Sequence, residues 1–110
     1  MRCGDLVFLG GQVSLTPEAE VISPGDMVAQ TTRAMTYIGR VLAELGLGFE
    51  NVVKVNAFYT GDVGEAVLKQ NAEVRFSYFQ GDPGPASTGV PVPYLAYENM
   101  QIEIDLIAMI

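Results

Sequence analysis

Polar and apolar residues alternate through Gln101-Ile102-Glu103-Ile104-Asp105-Leu106 near the end of the chain. Successive side chains of an extended backbone point to opposite sides. The pattern therefore dictates a strand with Ile102, Ile104 and Leu106 on one face and Gln101, Glu103 and Asp105 on the other. Such a strand requires an apolar layer packed on one side only, and it sets a carboxylate, Glu103, in the middle of the other side. Just upstream, Pro85-Ala86-Ser87-Thr88-Gly89-Val90-Pro91-Val92 ends a Pro/Gly-rich loop and runs into another strand. A loop edge beside a sheet carboxylate is where a small molecule finds both a shape and a charge.

The layer that packs on this strand is legible upstream. From Asp26 to Leu45, the residues Met27, Ala34, Ile38, Val41, Leu42 and Leu45 recur at helical spacings and form one apolar stripe. Pro24 and Asp26 suit the start of this helix, and Gly46 suits the left-handed residue after its end. Gly39 weakens its interior by about 1 kcal/mol relative to Ala, which close packing against a sheet explains. A second helix is expected over Val63–Phe79, with Val67, Val74 and Tyr78 on its stripe. Strands are expected at Leu6–Leu9, Val52–Tyr59, Ser87–Leu95 and Met100–Met109. Gly10-Gly11 after the first strand signals a bulge or a close backbone approach. Pro91 and Pro93 lack N–H groups and mark their strand as an edge. Residues 14–25 read as a surface loop. The order β, loop, α, β, α, β, β gives an α+β class: one two-layer domain over residues 1–110, with two helices on one face of a sheet.

A chain of 110 residues suits one domain. With 49% hydrophobic residues, it holds more apolar material than so small a body buries well. Part of the excess belongs in a subunit interface, so a homo-oligomer is expected. The net charge of −7 comes from 13 scattered acidic and 6 basic residues. Nucleic-acid binding requires clustered Lys and Arg, which are absent. No apolar run approaches membrane-spanning length. There is no histidine and a single cysteine, Cys3. That excludes a Ser-His-Asp triad, a Cys-His pair and any His-based metal site. No secretory leader is read at the start, and the lone Cys fits a reducing, cytoplasmic setting.

Several segments together resemble the RidA family, also called YjgF or L-PSP endoribonucleases. They are Gly4-Asp5-Leu6-Val7 leading to Gly11-Gln12, Gln30 in the first helix, and the Leu42 to Gly46 helix end. Val52-Val53-Lys54-Val55, Asn71 with Phe79, Pro85-Ala86, and Ile102-Glu103-Ile104 with Ala108 continue the match. The resemblance covers nearly the whole chain. It implies a chorismate-mutase-like fold and a homotrimer with sheets inside, helices outside and clefts between subunits. It also implies hydrolysis of enamines and imines such as 2-aminoacrylate, with neither metal nor cofactor. Glu103 falls at the family's water-positioning glutamate. In the family an Arg directly after Pro-Ala holds the substrate carboxylate; here that residue is Ser87. The family's frequent Ser before Gly-Gln is Gly10, and a common Asn of the first helix is Tyr37.

The resulting candidate site has Glu103 as the catalytic group and Gly11, Asn71, Ser87, Thr88 and Gly89 as substrate-binding residues. A carboxylate takes a proton from water as it adds to a C=N carbon and later returns it to nitrogen. The two glycines allow a ligand close to the backbone, and Ser87 and Thr88 offer hydroxyls. Ser87 in place of Arg directs the enzyme reading away from 2-aminoacrylate, toward an enamine or imine with its charges placed elsewhere. The alternative is a non-catalytic trimer that binds a small metabolite. Ribonuclease action fits the acidic, His-free composition least.

Overall fold

A computed structural model describes residues 1–110. The backbone forms one five-stranded mixed sheet with two helices on one face. In chain order the elements are β1 (Arg2–Cys3), β2 (Leu6–Gln12), α1 (Met27–Glu44), a 3₁₀ turn (Phe49–Asn51), β3 (Val52–Thr60), α2 (Glu65–Phe76), β4 (Ala86–Val92) and β5 (Ile102–Met109). The strands lie in the order β1-β2-β5-β3-β4. β5 runs antiparallel to both neighbours, β2 and β3, and β3 and β4 are parallel through the α2 crossover. This is the two-layer α+β architecture expected from the periodicities.

The alternation in β5 sorts its residues as anticipated. Ile102, Ile104, Leu106 and Ala108 are fully buried against the helices, with Val7, Leu9, Val52, Val55 and Ala57 from the adjoining strands. From α1 come Ala34, Met35, Ile38 and Leu42, which complete a core of 13 residues. Asp26 caps α1 by accepting from the Ala29 N–H at 3.0 Å, and Gly46 follows its end at φ +73. β4, which contains Pro91, is an edge strand, a place where a missing N–H is tolerated.

Four expectations are corrected. Gly39 does not face the sheet; a Cβ there meets the Phe49 ring at 3.3 Å, so the 3₁₀ turn is what crowds α1. Leu45 is exposed rather than part of the stripe. α2 is shorter than Val63–Phe79, and its buried residues are the polar Asn71 and Arg75, with Val67 and Val74 only half-buried. Phe79 and Tyr78 lie past its end and pack on Phe49 instead. The fourth strand stops at Val92, before Pro93, and the last begins at Ile102. A two-residue strand, β1, also pairs with β2 through the Gly4-Asp5 turn, with Gly4 at φ +62.

Gln30 links the layers. It is fully buried in α1; its Nε2 donates to Ser23 O (3.0 Å) and Asn99 O (2.8 Å), and its Oε1 accepts from the Gln101 N–H (2.8 Å). One amide thus fixes the entry to α1 and the entry to β5, two residues before Glu103.

Candidate active site on the open sheet face

The sheet face away from the helices carries Leu6, Phe8, Lys54, Asn56, Phe58, Glu103, Asp105, Ile107 and Met109, as the strand registers require. Phe8 and Met109 are 42% and 49% exposed in the single chain, so this face has an uncovered apolar end. Toward its middle lie the polar groups. Asn56 Nδ2 donates to Asp105 Oδ1 (2.8 Å) and Lys54 Nζ donates to Thr88 Oγ1 (2.6 Å). Glu103, half-buried, is not engaged in this way.

What Glu103 does touch is glycine backbone. β2 pairs Leu9 with Leu106 and then Gln12 with Ile104, so it has one extra residue relative to β5. The bulge falls at Gly10-Gly11. A Cβ built on Gly11 would lie 2.6 Å from Glu103 Cδ and 2.7 Å from its Oε1, whereas one on Gly10 would meet nothing within 4 Å. The two glycines are therefore not equivalent. The bulge brings the Gly11 backbone against the carboxylate, and a side chain there would displace Glu103 from this position. The sequence offered a bulge or a close approach, and the structure has both.

The other proposed residues divide between the two sides of the sheet. Thr88 pairs with Asn56 and shares the face of Glu103. Ser87 pairs with Val55 and Gly89 with Ala57, so both point to the helix side, where they are exposed at the edge. Asn71 is buried between the helices and accepts a hydrogen bond from Thr31 Oγ1. Within one chain, then, Glu103 and Gly11 are in contact, Thr88 shares their face but is separated from Glu103 by β3 and two register positions, and Ser87, Gly89 and Asn71 lie beyond the sheet from them.

Two further features were not read from the sequence. On the Glu103 face, a cavity of about 380 Å³ lies between Thr60, Gln101 and the Pro93–Met100 loop, with Asp62, Tyr94 and Glu98 around it. Gln101 is two residues from Glu103, roughly 7 Å along the strand. The side-chain oxygens of Thr60 and Gln101 are buried without partners there. On the helix side, Arg75 of α2 is 6% exposed and its Nε has no hydrogen-bond partner. Desolvation holds its guanidinium below the usual arginine range, with an opposing influence from the Tyr59 phenol. A buried Arg in a helix with so weak an apolar stripe leaves no periodic trace; the Asn71/Arg75 spacing of four is its only sequence signal.

A five-stranded mixed sheet covered by two helices on one face, with a carboxylate set against a glycine bulge on the other, defines a class of small two-layer α+β proteins. Over residues 1–110 the chain matches the family model described as Endoribonuclease L-PSP, and it belongs to that family, the RidA family. It is 40% identical over 106 residues to Protein DfrA of Myxococcus xanthus, covering 96% of this chain and 77% of that protein. It is 30% identical over 105 residues to the 2-iminobutanoate/2-iminopropanoate deaminase of Mus musculus, covering 94% and 73%. Among solved structures, a putative endoribonuclease of Thermotoga maritima superposes with a TM-score of 0.81 at 32% identity, covering 98% of this chain and 81% of that one. No helix is long and apolar enough to cross a membrane.

Proposed function

We propose that this protein is an enamine/imine deaminase, hydrolysing a reactive C=N substrate to a carbonyl product and ammonia without a cofactor, at clefts between the subunits of a homotrimer. The observation that carries the reading is the Glu103 carboxylate, half-buried in mid-strand and pressed against Gly11. In this mechanism a water oxygen attacks the imine carbon and its proton passes to Glu103. The carbon–nitrogen double bond becomes single, and the nitrogen lone pair takes the proton back. The hydroxyl proton of the resulting carbinolamine then passes to the amine nitrogen, the C–N bond breaks, ammonia leaves, and the oxygen closes to a carbonyl. Every atom comes from substrate and water.

The oligomer is part of the reading. Ser87, Gly89 and Asn71 lie across the sheet from Glu103, so a site using both sets takes them from two protomers. The apolar end of the open face, with Phe8, Ile107 and Met109, supplies the contact that covers it. A cytoplasmic location accords with the free Cys3. The relatives named as 2-iminobutanoate/2-iminopropanoate deaminases support the reaction class.

The test is ammonia release from imines generated in the assay. Glu103→Gln is expected to lower kcat by about a hundredfold or more, the typical contribution of a positioned acid–base group. Equal rates for the variant and wild type on every imine tried would remove the mechanism. Ser87, at the position where the family has its carboxylate-binding Arg, favours a second reading: a trimer that binds a metabolite without turning it over. Saturable thermal stabilisation by a 2-oxo acid, with no ammonia released from any imine, would select that reading.

A further inference from the structure

The chain buries one cation for which it has no partner of its own. Arg75, on α2, is 6% exposed, and its Nε is sealed from solvent without a hydrogen bond. Its surroundings are the Phe76 ring, 4.9 Å from Cζ, and the Tyr59 phenol, and no carboxylate of this chain is among the groups that influence it. Guanidinium groups are rarely buried unpaired, because their desolvation is offset only by matching partners. A buried donor without a protein partner is satisfied by water, an ion or a ligand.

The position of this cation gives the orphan a use. The Tyr59 side chain lies on the helix side of the sheet and against Gly89, whose added Cβ would meet Tyr59 Cε1 at 3.3 Å and its hydroxyl at 3.9 Å. The phenol that Gly89 approaches is thus the one whose charge the Arg75 guanidinium feels. Arg75 is one helical turn beyond Asn71, and Ser87 lies two residues before Gly89 on the same side of β4. Both β4 residues are exposed. Nε is the only guanidinium nitrogen that is both sealed and unpartnered, so the tip of the fork is not closed off as its base is.

We infer that Arg75 is the anchor for a small organic carboxylate, presenting its guanidinium fork past Tyr59 at the small-residue edge formed by Ser87 and Gly89. A planar fork suits a carboxylate bidentately where a lysine ammonium does not. The identity of the anion rests on the deaminase reading, since a 2-imino or 2-oxo acid is what that reaction consumes or produces. The anion site itself rests on Arg75 alone. In a trimer, this edge of one protomer would meet the Glu103 face of the next, and the charge missing at position 87 is supplied from the helix layer instead of the strand.

The test is isothermal titration of the full-length protein with 2-oxobutanoate and with its uncharged methyl ester, read beside sedimentation and far-UV circular dichroism. Wild type is expected to bind the acid saturably and the ester not at all. Arg75→Lys should bind the acid roughly ten- to a hundredfold more weakly, and a folded Arg75→Met should show no binding. The titration reads acid binding with no imine present, so its outcome stands whether or not any imine is turned over, which separates this inference from the fate of the catalytic proposal. Absence of acid binding by wild type would overturn the inference, as would Arg75→Lys matching wild type. A mass loss on Arg75→Met in a protein whose wild type binds no acid would assign the guanidinium to a carboxylate of a second copy of the chain. If Arg75→Met fails to fold, the Arg75→Lys titration decides.

Discussion

Gly10 and Gly11 are adjacent and chemically identical, yet the structure assigns them different tolerances. A methyl group on Gly11 overlaps the Glu103 carboxyl carbon and oxygen, whereas one on Gly10 enters open space, and neither residue has a positive φ. Gly11→Ala is expected to cost little stability, within about 1 kcal/mol, because Glu103 is a flexible side chain that rotates away. The same rotation takes the carboxylate from its place beside the bulge. Turnover of whichever imine the wild type accepts should then fall by about a hundredfold, the effect of a displacement near 1 Å at a reacting group. Gly10→Ala should leave both thermal midpoint and turnover near wild type. Parallel melting curves and ammonia assays on the two variants check this, and equal behaviour would mean that the Gly11 contact with Glu103 is not functional.

The element that sets the geometry is α1, through its ends and one buried amide. Loss of the Asp26 cap in Asp26→Ala exposes an orphan N–H at the helix start and should lower stability by about 1 kcal/mol, read as a drop in denaturation midpoint. Gln30 has larger consequences. Gln30→Leu leaves the Gln101 N–H without a partner, while Ser23 O and Asn99 O keep the Asp26 and Gly25 N–H groups, at about 1–3 kcal/mol for the group left unsatisfied. Destabilisation on the order of 2 kcal/mol is expected. A change of less than 1 kcal/mol in urea unfolding would show that water reaches this point. The segment anchored there feeds β5 two residues before Glu103, so a folded Gln30 variant should lose turnover as well as stability. α2 behaves differently from α1. It buries Asn71 and Arg75 where its sequence suggested Val67 and Val74, because it packs mainly against α1, and the Thr31–Asn71 hydrogen bond is part of that contact. An apolar stripe reports which face meets a hydrophobic layer; it is silent about a helix that meets another helix through polar side chains.

At the scale of the molecule, one side of the sheet is dry and the other is half apolar and half ionic. The bare side holds Phe8, Phe58, Ile107 and Met109 on the same face as Glu103 and Asp105. A surface of this kind on a chain with net charge −7 associates through its apolar end or remains a liability to aggregation. Ile107→Glu sets a further negative charge in the middle of that end, at a residue whose side chain is not in the core. The proposed trimer should fall to the mass of a single chain, 11.8 kDa, in light scattering or sedimentation, with the helical circular dichroism retained. Deaminase activity should disappear with it, since Ser87, Gly89 and Asn71 of one protomer cannot reach Glu103 of the same protomer. A variant that keeps both its mass and its activity would place the oligomer contact elsewhere.

Local pattern alone determined the class of this fold. The period-two alternation around Glu103 fixed which side of β5 is dry, the stripe and caps of α1 fixed the helix that covers it, and Pro91 marked β4 as an edge, because each depends only on near neighbours along the chain. The carboxylate and the glycine pair were legible for the same reason. What the sequence left open depends on register and on contacts between distant segments. Ser87 and Thr88 are neighbours that belong to opposite faces, Gly39 yields to Phe49 rather than to a strand, and Arg75 is buried beside Tyr59 without a counter-charge. Only the tertiary structure decides such matters, since strand pairing and desolvation are properties of segments brought together across the fold.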